Sequence, residues 1–260
     1  MASLVQLKKH PPSGTIILNR PDKRNALSSE MLRQLLQAFE DFHLERSVRA
    51  VILTGAGTSF CAGADLAEIQ EASRSEDAQR RWYEDAMQYK ELLQFLLRFP
   101  KPIIAAVNGP AVADGAGLVL ASDLVIGTPT AVFGFPEPRR GLVAGIVAPL
   151  LVFRLGGGVA ARLLLGAELL QATEAHRLHV YQELVPYELA WARAQELANH
   201  CAESAPESLQ LTKRMLNETI GEHLETLLAA GAAASATSRT MEAAVEGIAA
   251  FLERRTPQWP

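Results

Sequence analysis

Four short runs of β-branched and aliphatic residues, at positions 15–18, 48–54, 103–107 and 124–126, constrain this chain more than any other feature. Each is too short for a buried helix and reads as a buried strand. Between them lie stretches with helical periodicity at 29–45, starting from Ser28 or Ser29, at 78–98 and at 115–121. A weaker fifth run covers 180–185. Strands alternating with helices require crossover connections, so the pattern predicts an α/β domain. Beyond Pro186 the segments 188–202, 206–218, 223–238 and 240–254 carry helical periodicity with no strand between them, a C-terminal helical annex. Its tract at 229–236 is small and apolar, which suits close helix packing in the core or against another subunit; low complexity is the plainer label. No Gly-, Ser- or Pro-rich linker intervenes, so a core at 1–195 and a helical region at 196–260 are expected to form one structural unit.

Hydrophobic residues make up 48% of the 260 and charged residues 21%, enough apolar material for a sizeable core. That balance excludes disorder, collagen and disulfide-stapled scaffolds. The contiguous apolar runs fall short of the roughly 18–20 residues of a membrane helix, and the first residues carry no signal-peptide pattern, so a cytoplasmic address is expected. Cys61 and Cys201 lie far apart and in no CxxC, which suggests neither disulfide nor zinc site and a reducing compartment. The formal net charge of −4 argues against bulk capture of nucleic acid. Two local basic clusters remain, Arg20, Lys23 and Arg24 in one loop and Arg254-Arg255 near the end, each able to hold a polyanionic ligand.

Three segments bear on chemistry. The first, Leu53-Thr54-Gly55-Ala56-Gly57-Thr58-Ser59-Phe60-Cys61-Ala62-Gly63-Ala64-Asp65-Leu66, is a strand, a glycine-bearing loop and a helix start, a geometry that presents backbone N–H groups to an anion. Gly55, Gly57 and Phe60 break the G-x-G-x-x-G dinucleotide fingerprint, and an ordinary tight turn is the plain alternative. The second runs from Pro102 through Asn108-Gly109-Pro110-Ala111-Val112-Ala113-Asp114-Gly115 to Gly117, again a strand leading into small residues and a helix, where backbone can approach a ligand or a helix can press on a sheet. In the third, Phe133-Gly134-Phe135-Pro136-Glu137-Pro138-Arg139-Arg140, the flanking prolines are expected to hold Phe135 and Glu137 extended. A rigid carboxylate among apolar neighbours suits acid–base work, although a lone Glu is more often on the surface.

Taken together, these segments resemble the crotonase, or enoyl-CoA hydratase/isomerase, superfamily over nearly the whole chain. Asn19-Arg20-Pro21-Asp22-Lys23-Arg24-Asn25-Ala26-Leu27 is similar to the family's opening loop. Phe60 to Leu66 is similar to its first oxyanion loop, and Asn108-Gly109-Pro110-Ala111 onward to its second. The C-terminal signature is matched by Thr212-Lys213 after Ala205-Pro206, and by Glu246-Gly247-Ile248-Ala249-Ala250-Phe251-Leu252-Glu253-Arg254-Arg255 with Pro257 and Trp259. The resemblance implies a spiral of β-β-α units followed by helices that assemble homotrimers, often paired into hexamers, with an acyl-CoA thioester as substrate and no further cofactor or metal. It places the oxyanion-binding N–H groups at Ala64 and Asp114, and a catalytic carboxyl at Glu137. Arg20, Lys23 and Arg24 become the expected CoA phosphate contacts. Ala26, Ala62, Asp65, Leu66, Gly109 and Phe251 join the expected substrate-binding set, and Arg254 is expected to reach in from a neighbouring subunit.

Two positions depart from the hydratase pattern. Ala113-Asp114-Gly115 stands where the family commonly has three glycines, and one of the hydratase's two glutamates falls on Gly117. Paired carboxylates hold and activate water in the two-glutamate members, whereas moving a double bond from 3-enoyl to 2-enoyl needs one base. Hydration of a 2-enoyl-CoA is the leading expectation because the chain-wide resemblance is to hydratases generally, with 3-enoyl isomerisation by Glu137 alone close behind it because of Gly117; Gly141-Leu142-Val143-Ala144 is similar to the isomerases. A non-catalytic CoA- or RNA-binding role, as in some relatives, is the reading from another class. The Asp114 side chain either supplies a displaced second carboxylate or caps a helix that starts at Gly115. His176 and His179 read as solvated surface in preference to a metal pair, Cys61 as core in preference to a nucleophile, and Trp82, Tyr83 and Tyr89 border the expected acyl pocket without an assigned role.

Overall fold

The computed structural model describes residues 3–219 and 223–259; the expected outer limits at residues 1 and 260 lie outside them. Among the described residues, β1 (Val5–His10) and β2 (Ser13–Leu18) form an antiparallel hairpin that opens the larger sheet. The strands β3 (Ala50–Gly55), β4 (Ile103–Val107) and β6 (Leu124–Gly127) extend it in parallel, and β9 (Glu183–Leu184) closes its far edge. A second, three-stranded sheet has β7 (Val132–Gly134) between β5 (Ala111–Val112) and β8 (Leu169–Gln171). Successive turns of chain thus lay one strand in each sheet before a helix. Where no full second strand forms, single parallel bridges, Leu27 to Ala64 and Cys61 to Ala111, continue the inner layer.

The helices are α1 (Ser29–Leu44), α2 (Leu66–Ala72), α3 (Ala78–Arg98), α4 (Asp114–Ala121), α5 (Val147–Gly166), α6 (Ala172–Arg177), α7 (Ala190–Ala202), α8 (Pro206–Arg214), α9 (Leu224–Ser238) and α10 (Glu242–Glu253). In α1 the Ser28 hydroxyl accepts the Met31 N–H at 3.2 Å, and Met31, Leu32, Leu35, Ala38, Phe39 and Phe42 form one buried stripe. The stripe of α3, from Trp82 through Ala86 and Tyr89 to Leu96, is likewise buried and carries Tyr89 inward. The α9 helix packs along α3 and α5, and α10 packs on α2 and on a 3-10 turn at Glu137–Arg140, so the C-terminal helices roof the strand ends.

Several elements differ from the periodicity reading. The edge strand β1 was not expected, because five of its six residues are exposed and polar side chains dominate it; Lys8 and Lys9 suit such an edge. Nor was α5. It is apolar on most of its circumference and interrupted at Gly156, whose φ of 80° joins two helical pieces, so no 3.6-residue stripe stands out. By length and composition alone α5 would suit a membrane span, contrary to the run-length expectation; in the fold its Leu150, Leu151, Ala160 and Leu163 are buried in the core. The fifth run shrinks to Glu183–Leu184, and the run at 206–218 ends as α-helix at Arg214 and continues as a π-turn over Met215–Thr219. The expected boundary at 195/196 falls inside α7, whose Ala194 and Ala198 pack on Ile52, Ile104 and Ile126 of the larger sheet. One helix face buried across that point makes the two parts one unit.

Candidate active site

The inner ends of β3 and β4 feed two loops that meet at one place. Gly63, at φ +89°, turns the first loop so tightly against the second that a Cβ there would lie 2.6 Å from the Ala113 Cβ and 3.3 Å from the Asp114 nitrogen. The Val112 N–H donates to the Cys61 carbonyl at 3.0 Å, fixing the two loops together. Ala113 then adopts φ 54°, ψ −129°, a region that glycine occupies freely and alanine at a cost of about 1–3 kcal/mol. The strain swings the next N–H, that of Asp114, out of the ladder. Neither the Ala64 N–H nor the Asp114 N–H has a backbone acceptor among the described residues, and both residues line the same cavity of about 410 Å³.

Glu137 lines the same cavity. It opens the 3-10 turn and is not extended as expected: Pro138 sits in the first turn, where its fixed φ fits and its missing N–H leaves no gap. The residue is 7% exposed and its Oε2 is buried without a hydrogen-bond partner. Burial first, and the charge of Asp114 second, push its carboxyl up to about 8. Asp114 itself is pushed up to about 6 by burial, with Arg239 opposing the shift. Asp114 is not a cap before a helix starting at Gly115: α4 begins at Asp114 itself, and burial and Arg239 are what act on its carboxyl.

A side chain at position 117 would force its neighbours to shift. A Cβ there would overlap the Tyr89 hydroxyl and lie 2.6 Å from Val147 Cγ1. The Tyr89 hydroxyl fills that volume and donates to the Asp114 carbonyl at 2.5 Å, in the peptide that follows the one bearing the free N–H.

Lys23, Arg24, Ala26, Ala62, Asp65 and Leu66 line the same cavity from the opening loop and the first N–H loop, and Phe251 and Arg254 from the end of α10. Arg254 borders its own chain's cavity. Two expected residues do not line it. Arg20 Nη1 is held by Asp65 at 2.6 Å and by the Ala26 carbonyl at 3.2 Å, so its charge braces the loop. Gly109 is packed under the first loop, where a Cβ would overlap the Thr58 carbonyl oxygen. Beside it Asn108 bonds Gly55 N–H and the Gly57 carbonyl, both at 3.0 Å.

Two further cations were missed in sequence. Arg140 lies over the Phe251 ring at 4.4 Å and feels Glu137. Arg239, 8% exposed and just past α9, faces Asp114 and Asp85. The signal for Arg239 was slight, a single cation after a small apolar helix. Cys61 is fully buried, donates its thiol to the Asn25 carbonyl at 3.1 Å and is pushed up to about 12, an inert core thiol. The His176 ring bonds the Tyr181 carbonyl at 2.8 Å, and no group of His, Cys, Asp and Glu suited to a metal ion occurs among the described residues.

This arrangement can bind an oxyanion with two backbone donors and move a proton beside it with a carboxyl that is neutral at pH 7. Comparison with known proteins agrees in kind. A family model described as enoyl-CoA hydratase/isomerase matches residues 14–260. A Thermus thermophilus protein provisionally named enoyl-CoA hydratase is 41% identical over 256 residues, covering 98% of this chain and 100% of that one. The 2,3-dehydroadipyl-CoA hydratase of Escherichia coli is 33% identical over 253 residues, covering 94% and 93%. Among solved structures, an enoyl-CoA hydratase/isomerase from Xanthobacter autotrophicus Py2 superposes with a TM-score of 0.85 at 28% identity, over 97% of this chain and 94% of that one.

Proposed function

The chain belongs to the enoyl-CoA hydratase/isomerase family, and we propose that within it this enzyme adds water to a 2-enoyl-CoA thioester. The observation that carries the reading is the convergence of two unpaired backbone N–H groups and a buried, unpartnered Glu137 carboxyl on one cavity. Thioester oxygen bound by the Ala64 and Asp114 N–H groups becomes more negative as the enolate forms, and fixed donors strengthen as that charge grows. Glu137 is protonated at pH 7 because burial disfavours its charge, so it supplies the proton for the α-carbon. Lys23, Arg24 and Arg254 at the cavity's rim are the proposed contacts for the CoA phosphates. The relatives at 41% and 33% identity carry hydratase names, which supports the same reading. Helices α8 to α10 present exposed Leu211, Leu227 and Val245, which suits assembly into a homotrimer or paired trimers, and free thiols at Cys61 and Cys201 suit the cytoplasm.

One observation favours a second reading. Gly117 leaves Glu137 without the second glutamate of the hydratase pattern, and a single base is enough to convert a 3-enoyl to a 2-enoyl thioester. Purified enzyme given a 2-enoyl-CoA and, separately, its 3-enoyl isomer decides between them by product mass, with Glu137→Gln as control. A gain of one water that the control loses supports hydration. Conversion of the 3-enoyl compound at constant mass, with no hydration of the 2-enoyl compound, overturns it in favour of isomerisation.

A further inference from the structure

We infer that the Asp114 side chain, as well as its N–H, takes part in the addition, its carboxylate receiving the proton of the attacking water while Arg239 acts as the positioning residue that keeps it ionised. This rests on the hydration reading.

The geometry leaves the role open at Asp114 and closes it at the family's usual place. A side chain at position 117 would have to displace the Tyr89 hydroxyl and the Val147 methyl that occupy that volume. Asp114 lines both the main cavity and a small recess of about 30 Å³ that shares its lining, and no backbone hydrogen bond is among the causes acting on its carboxyl. Arg239 lines both spaces too. Its one side-chain hydrogen bond among the described residues goes to the Trp82 carbonyl at 3.4 Å, so its charge stays directed at the carboxylates.

Charged and titratable groups reach this neighbourhood from every side. They are Asp85 and Tyr89 on α3, Glu68 on α2, Cys61 and Asp65 on the first loop, Asp22, Lys23 and Arg24 on the opening loop, and Arg254 after α10. Glu137 and Arg140 come from the 3-10 turn, and Arg239 from the segment after α9. Tyr89 and Cys61 are held neutral by burial, and Asp65 is paired with Arg20. Arg239 is thus the cation that faces Asp114 and favours its ionised form.

The proton and electron balance closes on these two carboxyls. Water oxygen bonds to C3 as one of its protons passes to the Asp114 carboxylate. The C2–C3 π pair shifts to C1–C2 and the carbonyl pair moves onto the thioester oxygen. As that pair returns, C2 takes the proton of Glu137. Asp114, now neutral, then passes its proton to the Glu137 carboxylate, which restores both groups with one water added. That last transfer returns the proton to Glu137, the carboxyl that burial and the charge of a re-ionised Asp114 both push upward. An anion beside an oxyanion hole would oppose catalysis if it persisted. Here the negative charge leaves Asp114 as it develops on the thioester oxygen, so the site's total charge is unchanged.

The test is the pH profile of kcat/KM for hydration of crotonyl-CoA between pH 5 and 9, in the unmodified enzyme, D114N, R239Q and R239K. The expected profile is a bell with an acidic limb near 6 and a basic limb near 8. D114N keeps the backbone N–H, binds the saturated thioester butyryl-CoA as before, and loses on the order of 100-fold in rate together with the acidic limb. R239Q moves the acidic limb upward and R239K returns it, a shift that a merely structural arginine does not produce. If D114N does not fold, the Arg239 pair decides alone. Retention by D114N of the rate to within about threefold, or an acidic limb unmoved in R239Q, overturns the inference and leaves hydration standing. An unmodified enzyme that hydrates no 2-enoyl-CoA at any pH overturns both.

Discussion

Glu137 illustrates how a single residue's surroundings set its chemistry. A carboxyl with an ordinary value of 4.5 holds its proton to about 8 in the fold, because burial removes the water that would solvate its charge and Asp114 adds repulsion. The folded state therefore binds more protons than the unfolded state between those two values, so stability falls as pH rises through that window. Thermal melts between pH 5 and 8 are expected to show a falling Tm, and Glu137→Gln, with no proton to lose, to flatten the slope while cutting turnover on the order of 100-fold. An equally steep slope in the glutamine variant would mean that another group carries it. Gly117 is the second case. Gly117→Ala pushes a methyl against the Tyr89 hydroxyl and Val147, and a loss of about 1–3 kcal/mol in urea unfolding is expected. Adding Tyr89→Phe removes the overlapping oxygen and should recover part of that loss, whereas simple additivity of the two changes would place the strain elsewhere.

The junction between β5 and α4 matters most among the elements. Its strained Ala113 directs the Asp114 N–H into the cavity, and the Tyr89 hydroxyl on α3 bonds the carbonyl of the next peptide, that of Asp114. Ala113→Gly should relieve the backbone strain and, after glycine's own entropy penalty, raise stability by about 1 kcal/mol. Unchanged or lower Tm would show that the conformation carries no strain. The opening loop is a second element held from within. Asn25 Nδ2 donates to the Ala56 and Ser59 carbonyls, both at 2.9 Å, and its Oδ1 accepts the Arg20 N–H at 2.8 Å. Asn25→Ala leaves those buried groups unpaired and is expected to destabilise the protein by about 1–3 kcal/mol, measured by denaturant melts. The stripe of α1 and the apolar runs of β3 and β4 were legible in sequence because one period and one buried face govern them. The edge strand β1 and the broken, all-round apolar α5 were not, since neither displays a period.

At the scale of the molecule, the C-terminal helices both roof the cavity and leave Leu211, Leu227 and Val245 exposed. Association in solution follows as the expectation, and light scattering should return three or six times 28.2 kDa, with a single-chain mass excluding the proposed trimer. By itself the sequence determined the α/β order, the two loops with small residues, Glu137 between prolines and the family they resemble, because period, turn chemistry and short motifs act within a few residues. Only the tertiary structure decided that Arg20 braces a loop, that Gly109 lies under it and that Arg254 borders its own cavity. It also brought Arg239 of the last quarter to Asp114, and set Tyr89 in the space above Gly117. The reason is physical: which charge is paired and which volume is filled depends on residues far apart in the chain, and those meet only when the helices close over the sheets.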